Sequence, residues 1–282
     1  MSEEHPVFND EDLAFWDQQG YVVLPNAVPQ DHLDTVIDEI WTFLGMDRDD
    51  PGACYREPHR VGGMVEMYQT QGLWNNRQHP RVHRAFTQLW GTPWLWVTMD
   101  RVNMKPPVRE DKPEWDHEGR IHWDMDTSRR PFRFGMQGVL YLSDTEENQG
   151  TFQCVPGFHR QFEDWVRTQP PDRDPHRPDL EGLEVKKIAG KAGDLLIWQR
   201  LLPHGNSRNT SDRPRLAQYI TMLPAPQEPG EVGEERVKMW RDRLHPPGKA
   251  FPGDSRRYEQ KHNEPADLTP LGRKLLGIDA WS

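Results

Sequence analysis

The chain has 282 residues, 34% of them hydrophobic and 28% charged, with a net charge of -10; this balance excludes long-range disorder, and the acidic surface excludes nucleic acid as a general partner. No run approaches the ~20 apolar residues of a membrane span, and the acidic start MSEEHPVFNDED does not resemble a secretory leader. Cys54 and Cys154 form no CxxC pair, so the expectation is a reduced, cytoplasmic, soluble protein with no membrane insertion.

In chain order, residues 11–19 read as a short helix leading into the strand-like run Tyr21 to Pro25. Leu33, Val36, Ile37, Ile40, Trp41 and Leu44 recur at helical spacing and predict one amphipathic helix. Residues 48–63, rich in Asp, Pro and Gly, read as loop, and Val82, Phe86 and Leu89 predict a further helix near 80–90. From about residue 94 the pattern turns to strands. WLWVTMDRVNM (94–104) is one, and a polar loop follows over 105–120. In FRFGMQGVLYLS (132–143), Phe132, Phe134, Met136, Leu140 and Leu142 alternate onto one face. TFQCV (151–155), LEVKKI (183–188), DLLIWQ (194–199) and RLAQYITML (215–223) complete the set.

Short strands separated by Gly, Pro and Asn turns predict a sandwich, barrel or jelly roll. Residues 159–182 read as a long polar, Pro-rich loop of the kind that forms lids. The tail after 224 carries helical patterns at 234–244 and 269–277. A single domain over 1–282 is therefore expected, with N-terminal helices over 10–92, a β core over about 94–224 and a wrapping tail over 225–282.

Two segments carry candidate chemistry. In IHWDMD (121–126), His122 and Asp124 share a face if the chain is extended. An imidazole and a carboxylate on one face can share a metal ion. Two His and one carboxylate make a facial triad that leaves positions open for O2 and a bidentate co-substrate on iron(II). A second HxD, His32-Leu33-Asp34, lies on the predicted helix, where residues two apart diverge by about 200°, and HNE at 262–264 lies in the polar tail. Both read as surface. The second segment, GDLLIWQRLLPHGNSRNTSDRPRLAQYIT (193–221), holds a buried strand, then His204 in a short loop, then Arg215 opening the next strand. A guanidinium there can pair bidentately with a carboxylate. Taken singly, each segment also fits a blander reading: a surface ion pair for the first, a turn histidine and a surface cation for the second.

Together the segments resemble the phytanoyl-CoA dioxygenase family of iron(II) and 2-oxoglutarate oxygenases. The matching residues are His122-Trp123-Asp124, NQGTFQCVPGFH (148–159), GDLLIW (193–198), and His204 followed eleven positions later by Arg215. FWDQQGYVVLPNAVPQDHLDTVIDEI (15–40) is similar to the family's opening, so the resemblance covers roughly 15–224. Two departures stand out. The family's PGSH-type turn reads Pro156-Gly157-Phe158-His159, and Asn206 stands where some members carry a small hydroxyl residue.

The resemblance implies a mainly β fold with flanking helices, a double-stranded β-helix (jelly roll, cupin-like). It implies iron(II) on His122, Asp124 and His204, and 2-oxoglutarate held by Arg215, with Arg213 as the competing choice. Ascorbate would be a supporting reductant. Asn206, Arg101 and Asn103 are further cofactor-side candidates, and Gln137 and Tyr141 are substrate-side candidates. The implied reaction uses O2 to hydroxylate a C–H bond of a small molecule of natural-product, lipid or amino-acid type, releasing succinate and CO2. Halogenating relatives carry a small residue at the carboxylate position, so Asp124 argues for oxygenation. The alternative is a non-catalytic jelly roll that binds a small ligand. Trp123, Trp198 and Cys154 read as packing, Asp194, Gly150 and Gly157 as turn residues, and His117 and His159 as loop histidines.

Overall fold

The computed structural model describes residues 6–50 and 52–281. The expectation drawn from MSEEHPVFNDED falls partly on residues 1–5, which lie outside the described residues. Asn9 opens helix α1 (Asp10–Gln19) with a reciprocal capping box: its side chain accepts from Asp12 N, and the Asp12 carboxylate accepts from Asn9 N. Helix α2 (Gln30–Leu44) buries Leu33, Val36, Ile40, Trp41 and Leu44, the stripe its spacing predicts. Its HxD pair is split as the helix geometry requires: His32 meets the ring of His79, while Asp34 accepts from Gln30. Helices α3 (Gln71–Arg77) and α4 (Pro80–Trp90) follow. The first of these was not apparent in QGLWNNR, whose two apolar residues are too few to show a period.

The strands are β1 (Tyr21–Leu24), β2 (Met64–Val65), β3 (Leu95–Val97), β4 (Val102–Lys105), β5 (Met136–Tyr141), β6 (Phe152–Cys154), β7 (Lys186–Ile188), β8 (Leu195–Gln199), β9 (His204–Asn206), β10 (Arg215–Tyr219) and β11 (Met222–Pro224). A major antiparallel sheet runs β1-β8-β5-β10-β4-β2, and a minor one runs β7-β6-β9. The two sheets sandwich one apolar cluster, with Val139, Tyr141, Leu196, Trp198 and Ala217 from the major sheet against Phe152, Cys154 and Ile188 from the minor one. The opposite face of the major sheet packs Met136, Leu140, Leu195, Ile197 and Leu216 against the helices. A sheet buried on both faces explains why β5 and β8 read as continuous apolar runs. This is the jelly roll with flanking helices.

Several elements differ from expectation. The run 94–104 is two strands: β3 pairs with β11, and β4 pairs with β10 in the major sheet. The run 215–223 divides likewise into β10 and β11. Both breaks lie at one level, joined by the bond from Thr98 N to Thr221 O (2.8 Å), so the two chains turn the corner together. Residues 132–135 precede β5 and are not strand, and Phe134 is exposed.

Residues 159–182 are not all loop. Helix α5 (Phe158–Arg167) buries Phe158 and Phe162 against Trp123 and Trp165. Aromatics at 158, 162 and 165 fall on one helical face, a signal masked by the polar residues between them. In the tail, helices α6 (Gly230–Arg241), α7 (Tyr258–His262) and α8 (Pro270–Leu276) lie against the core. Arg236 donates to the carbonyls of Val97, Leu275 and Leu276. The buried Glu259 carboxylate accepts from the amides of Tyr68 (2.9 Å) and Gln69 (2.6 Å), and burial pushes its pKa up to about 7. No helix among the described residues is long and apolar enough to cross a membrane.

Candidate metal centre

The two histidines come from separate segments and are clamped by their own backbones. His122 N donates to His204 O (2.8 Å) and His204 N donates to His122 O (3.0 Å). This reciprocal pair adds residue 122 as a one-residue edge beside β9. Such close approach needs glycine: a Cβ on Gly119 would lie 1.6 Å from Asn206 O, and one on Gly205 would lie 2.3 Å from Arg120 O. The segment 168–182 braces the same site from the other side, since Trp123 N donates to His176 O (2.9 Å) and Thr127 N to Pro175 O (3.2 Å). Within 121–126, His122 alone takes part in a β-bridge. Asp124 sits in the bend that follows, and the bend, not a strand period, carries its carboxylate back to the histidines.

The side chains converge. Asp124 Oδ1 lies 3.3 Å from His122 Nε2, and Asp124 Oδ2 lies 3.4 Å from His204 Nε2. One ligand atom from each of the three residues lies within 4.8 Å of the others. Each histidine turns Nδ1 to a backbone carbonyl, His122 to Arg120 O and His204 to Leu202 O, both at 2.9 Å. A carbonyl only accepts, so Nδ1 carries a proton and Nε2 is the nitrogen aimed at Asp124, donating to it while the imidazole is charged and offering a lone pair to an ion once it is neutral. Phe152 and Trp198 pack on the His204 ring and fix its plane. Burial raises the Asp124 pKa, but the bonds from His122 and His204 outweigh it and hold the carboxyl well below the usual range. His122 is raised, chiefly by Asp124. Two neutral imidazoles and an ionised carboxylate on one side of an ion suit iron(II) with open positions.

A cavity of about 380 Å³ opens on this triad. Of the sequence candidates, Arg101, Gln137 and Asn206 line it; Asp100, Tyr219 and Phe251 line it without having been singled out. Asp100 and Arg101 reach it because the break between β3 and β4 interrupts side-chain alternation. Gln137 Nε2 donates to Asp124 Oδ2 (2.7 Å). Asn206 Nδ2 donates to the Tyr219 hydroxyl (3.0 Å). Arg101 pairs with Glu66 (2.8 Å) and rests on the Phe251 ring, so the C-terminal tail supplies part of the wall. Tyr141 is placed behind the cavity: it is fully buried, its hydroxyl donates to Ile188 O (2.7 Å), and it does not line the space.

Arg215 is fully buried on β10, on the same strand face as the cavity-lining Tyr219. Nη1 donates to Asn103 Oδ1 (3.1 Å), while Nε and Nη2 have no partner among the described residues. Arg215 itself does not line the cavity, but a buried guanidinium with an unpaired edge is costly unless something anionic meets it, and a carboxylate is the group that would satisfy it. Asn103 itself does not line the cavity; it holds Arg215 and donates to Gly62 O. Arg213 lies at the surface with 59% of its side chain exposed.

The sequence profile of the phytanoyl-CoA dioxygenase family matches residues 16–217. This chain belongs to that family. It is a 2-oxoglutarate-dependent, non-haem iron dioxygenase, which sets it apart from jelly rolls that only bind a ligand. A Dictyostelium discoideum protein provisionally named as a phytanoyl-CoA dioxygenase is 23% identical over 259 residues, covering 74% of each chain. The ectoine dioxygenase of Bordetella bronchiseptica is 29% identical over 153 residues, or 48% of each chain. Among solved structures, the epimerase SnoN in complex with Fe3+, alpha ketoglutarate and nogalamycin RO superposes with a TM-score of 0.55 at 18% identity, covering 92% of this chain and 95% of that one. Iron and 2-oxoglutarate are the cofactors of this dioxygenase, and the Nε2–Nε2–carboxylate convergence with the unpaired edge of Arg215 fits both.

Proposed function

We propose that His122, Asp124 and His204 hold the iron(II), that Arg215 takes the far carboxylate of 2-oxoglutarate, and that the enzyme hydroxylates a C–H bond of a compact small molecule. The observation that carries this reading is the pair of Nδ1–carbonyl bonds, which present both Nε2 atoms and the carboxylate to one point. Asn103 positions Arg215. Asn206 and Tyr219 form the wall next to the distal histidine. Tyr219 N donates to Arg101 O, and Arg215 pairs with Lys105. Arg101 and Arg215 therefore attach to opposite ends of β10, separated by four residues or roughly 13 Å. A co-substrate that pairs with Arg215 leaves Arg101 to the substrate, beside Asp100 and Phe251. The tail is part of the same catalytic unit, because Ala250 and Phe251 close one end of the cavity.

Iron(II) with 2-oxoglutarate supplies the oxidising power that places an oxygen atom from O2 on carbon, releasing succinate and CO2. The chain's own work is to bind and to orient. The triad presents ligand atoms from one side, and the aromatic rings of Phe152 and Trp198 keep His204 fixed.

Purified protein given iron(II), 2-oxoglutarate and air should release succinate and CO2 in equal amounts, slowly alone and faster with a productive substrate, and a ferrous chelator should stop it. Iron bound with no loss of 2-oxoglutarate under any substrate of a broad panel would contradict the proposal.

A further inference from the structure

We infer that Gln137 is a positioning residue for the metal carboxylate, acting through Asp124 to set the iron affinity of the site; this rests on the ligand assignment proposed above. Gln137 lies on β5, the strand paired on one side with β8 and on the other with β10. Its backbone is therefore fixed by neighbours on both sides, which makes it a rigid mount. Its side chain crosses to the bend that carries Asp124, where Nε2 donates to Oδ2 at 2.7 Å.

The direction of this amide is decided by charge. As a ligand of the ion the Asp124 carboxylate only accepts, and the Gln137 nitrogen is the atom that lies on it. The NH2 end must face it, which turns Oε1 away. That oxygen is buried and has no partner among the described residues. A buried acceptor left unpaired is a cost that packing alone does not explain. It is tolerated here to keep a donor on Asp124. Among the described residues the carboxylate has no other side-chain anchor: it stands in a bend, about half of it (48%) is exposed, and its remaining contacts are the two histidines that would turn to the ion. Without Gln137, Asp124 is free to rotate away from the histidines. With Gln137, one oxygen is engaged and the other is left to the ion.

The test is Gln137→Met, which keeps length and removes the donor. Anaerobic iron(II) titration should show affinity about 10–100-fold weaker than wild type, the loss typical when an outer partner of a metal ligand is removed. The visible band formed on adding 2-oxoglutarate should shift or broaden. The thermal midpoint of the metal-free variant should stay near that of wild type, because the lost bond to Asp124 and the relieved Oε1 oppose each other. Iron affinity within twofold of wild type overturns the inference, and so does a fall in the metal-free midpoint with unchanged affinity, which is what a packing role predicts. Should the methionine variant fail to fold, Gln137→Leu carries the same comparison. If wild type itself takes up no iron, the ligand assignment falls; normal wild-type binding with an unaffected variant sinks this inference alone.

Discussion

Asp124→Ala is expected to lower turnover of this dioxygenase by more than about 100-fold, since loss of even an outer partner of a metal ligand costs about 10–100-fold and Asp124 is the one anionic donor of the triad. The fold should survive. The carboxylate is half open to the cavity and serves no backbone group, and the His122–His204 backbone pair does not depend on it. What changes is charge: two neutral imidazoles remain, and neither replaces the negative charge that stabilises a divalent ion. The check is iron content after anaerobic loading together with succinate formation. A variant that retains full hydroxylation would remove Asp124 from the metal.

Arg215→Gln should raise the 2-oxoglutarate concentration needed for half-saturation by about 10–100-fold, the loss of roughly 1.5–3 kcal/mol expected when a charge-assisted bond to a carboxylate is removed. Iron binding in the absence of 2-oxoglutarate should be unchanged. The stability of the free protein is expected to hold or rise, because the wild-type guanidinium is fully buried with Nε and Nη2 unpaired and removing a poorly compensated buried charge is seldom harmful. A merely structural arginine predicts the reverse pattern, a lower melting point and an unaltered 2-oxoglutarate curve. The surface Arg213, changed in the same way, serves as the control.

Much of this was legible in the sequence, for reasons that differ by element. Helix α2 shows its stripe because six apolar residues, Leu33 to Leu44, recur over about three turns. The proposed ligand trio is legible only in combination: His122 and Asp124 alone are matched by the helical decoy at His32 and Asp34, and His204 alone reads as a turn histidine, although the structure places it on β9 and not in a loop. What the sequence concealed was geometry that depends on neighbours. The bend at Asp124, the glycine contacts at Gly119 and Gly205, and the shared corner that splits two long runs into four strands all arise from chains meeting in space. The cavity wall was hidden for the same reason. Asp100 is reached through a strand break, and Phe251 arrives from a tail whose polar, Pro-rich composition carries no period. The lid-like reading of 159–182 missed α5 because charged residues separate its aromatics. The remainder of that segment supplies Pro175 and His176 carbonyls that brace the metal segment.

The most direct test of the central claim is anaerobic titration of the metal-free protein with iron(II) and then with 2-oxoglutarate, followed by visible absorption. One iron per chain is expected, with a charge-transfer band that appears only when both are present and is lost in His122→Ala. Absence of iron uptake, or a band that survives without His122, would contradict it.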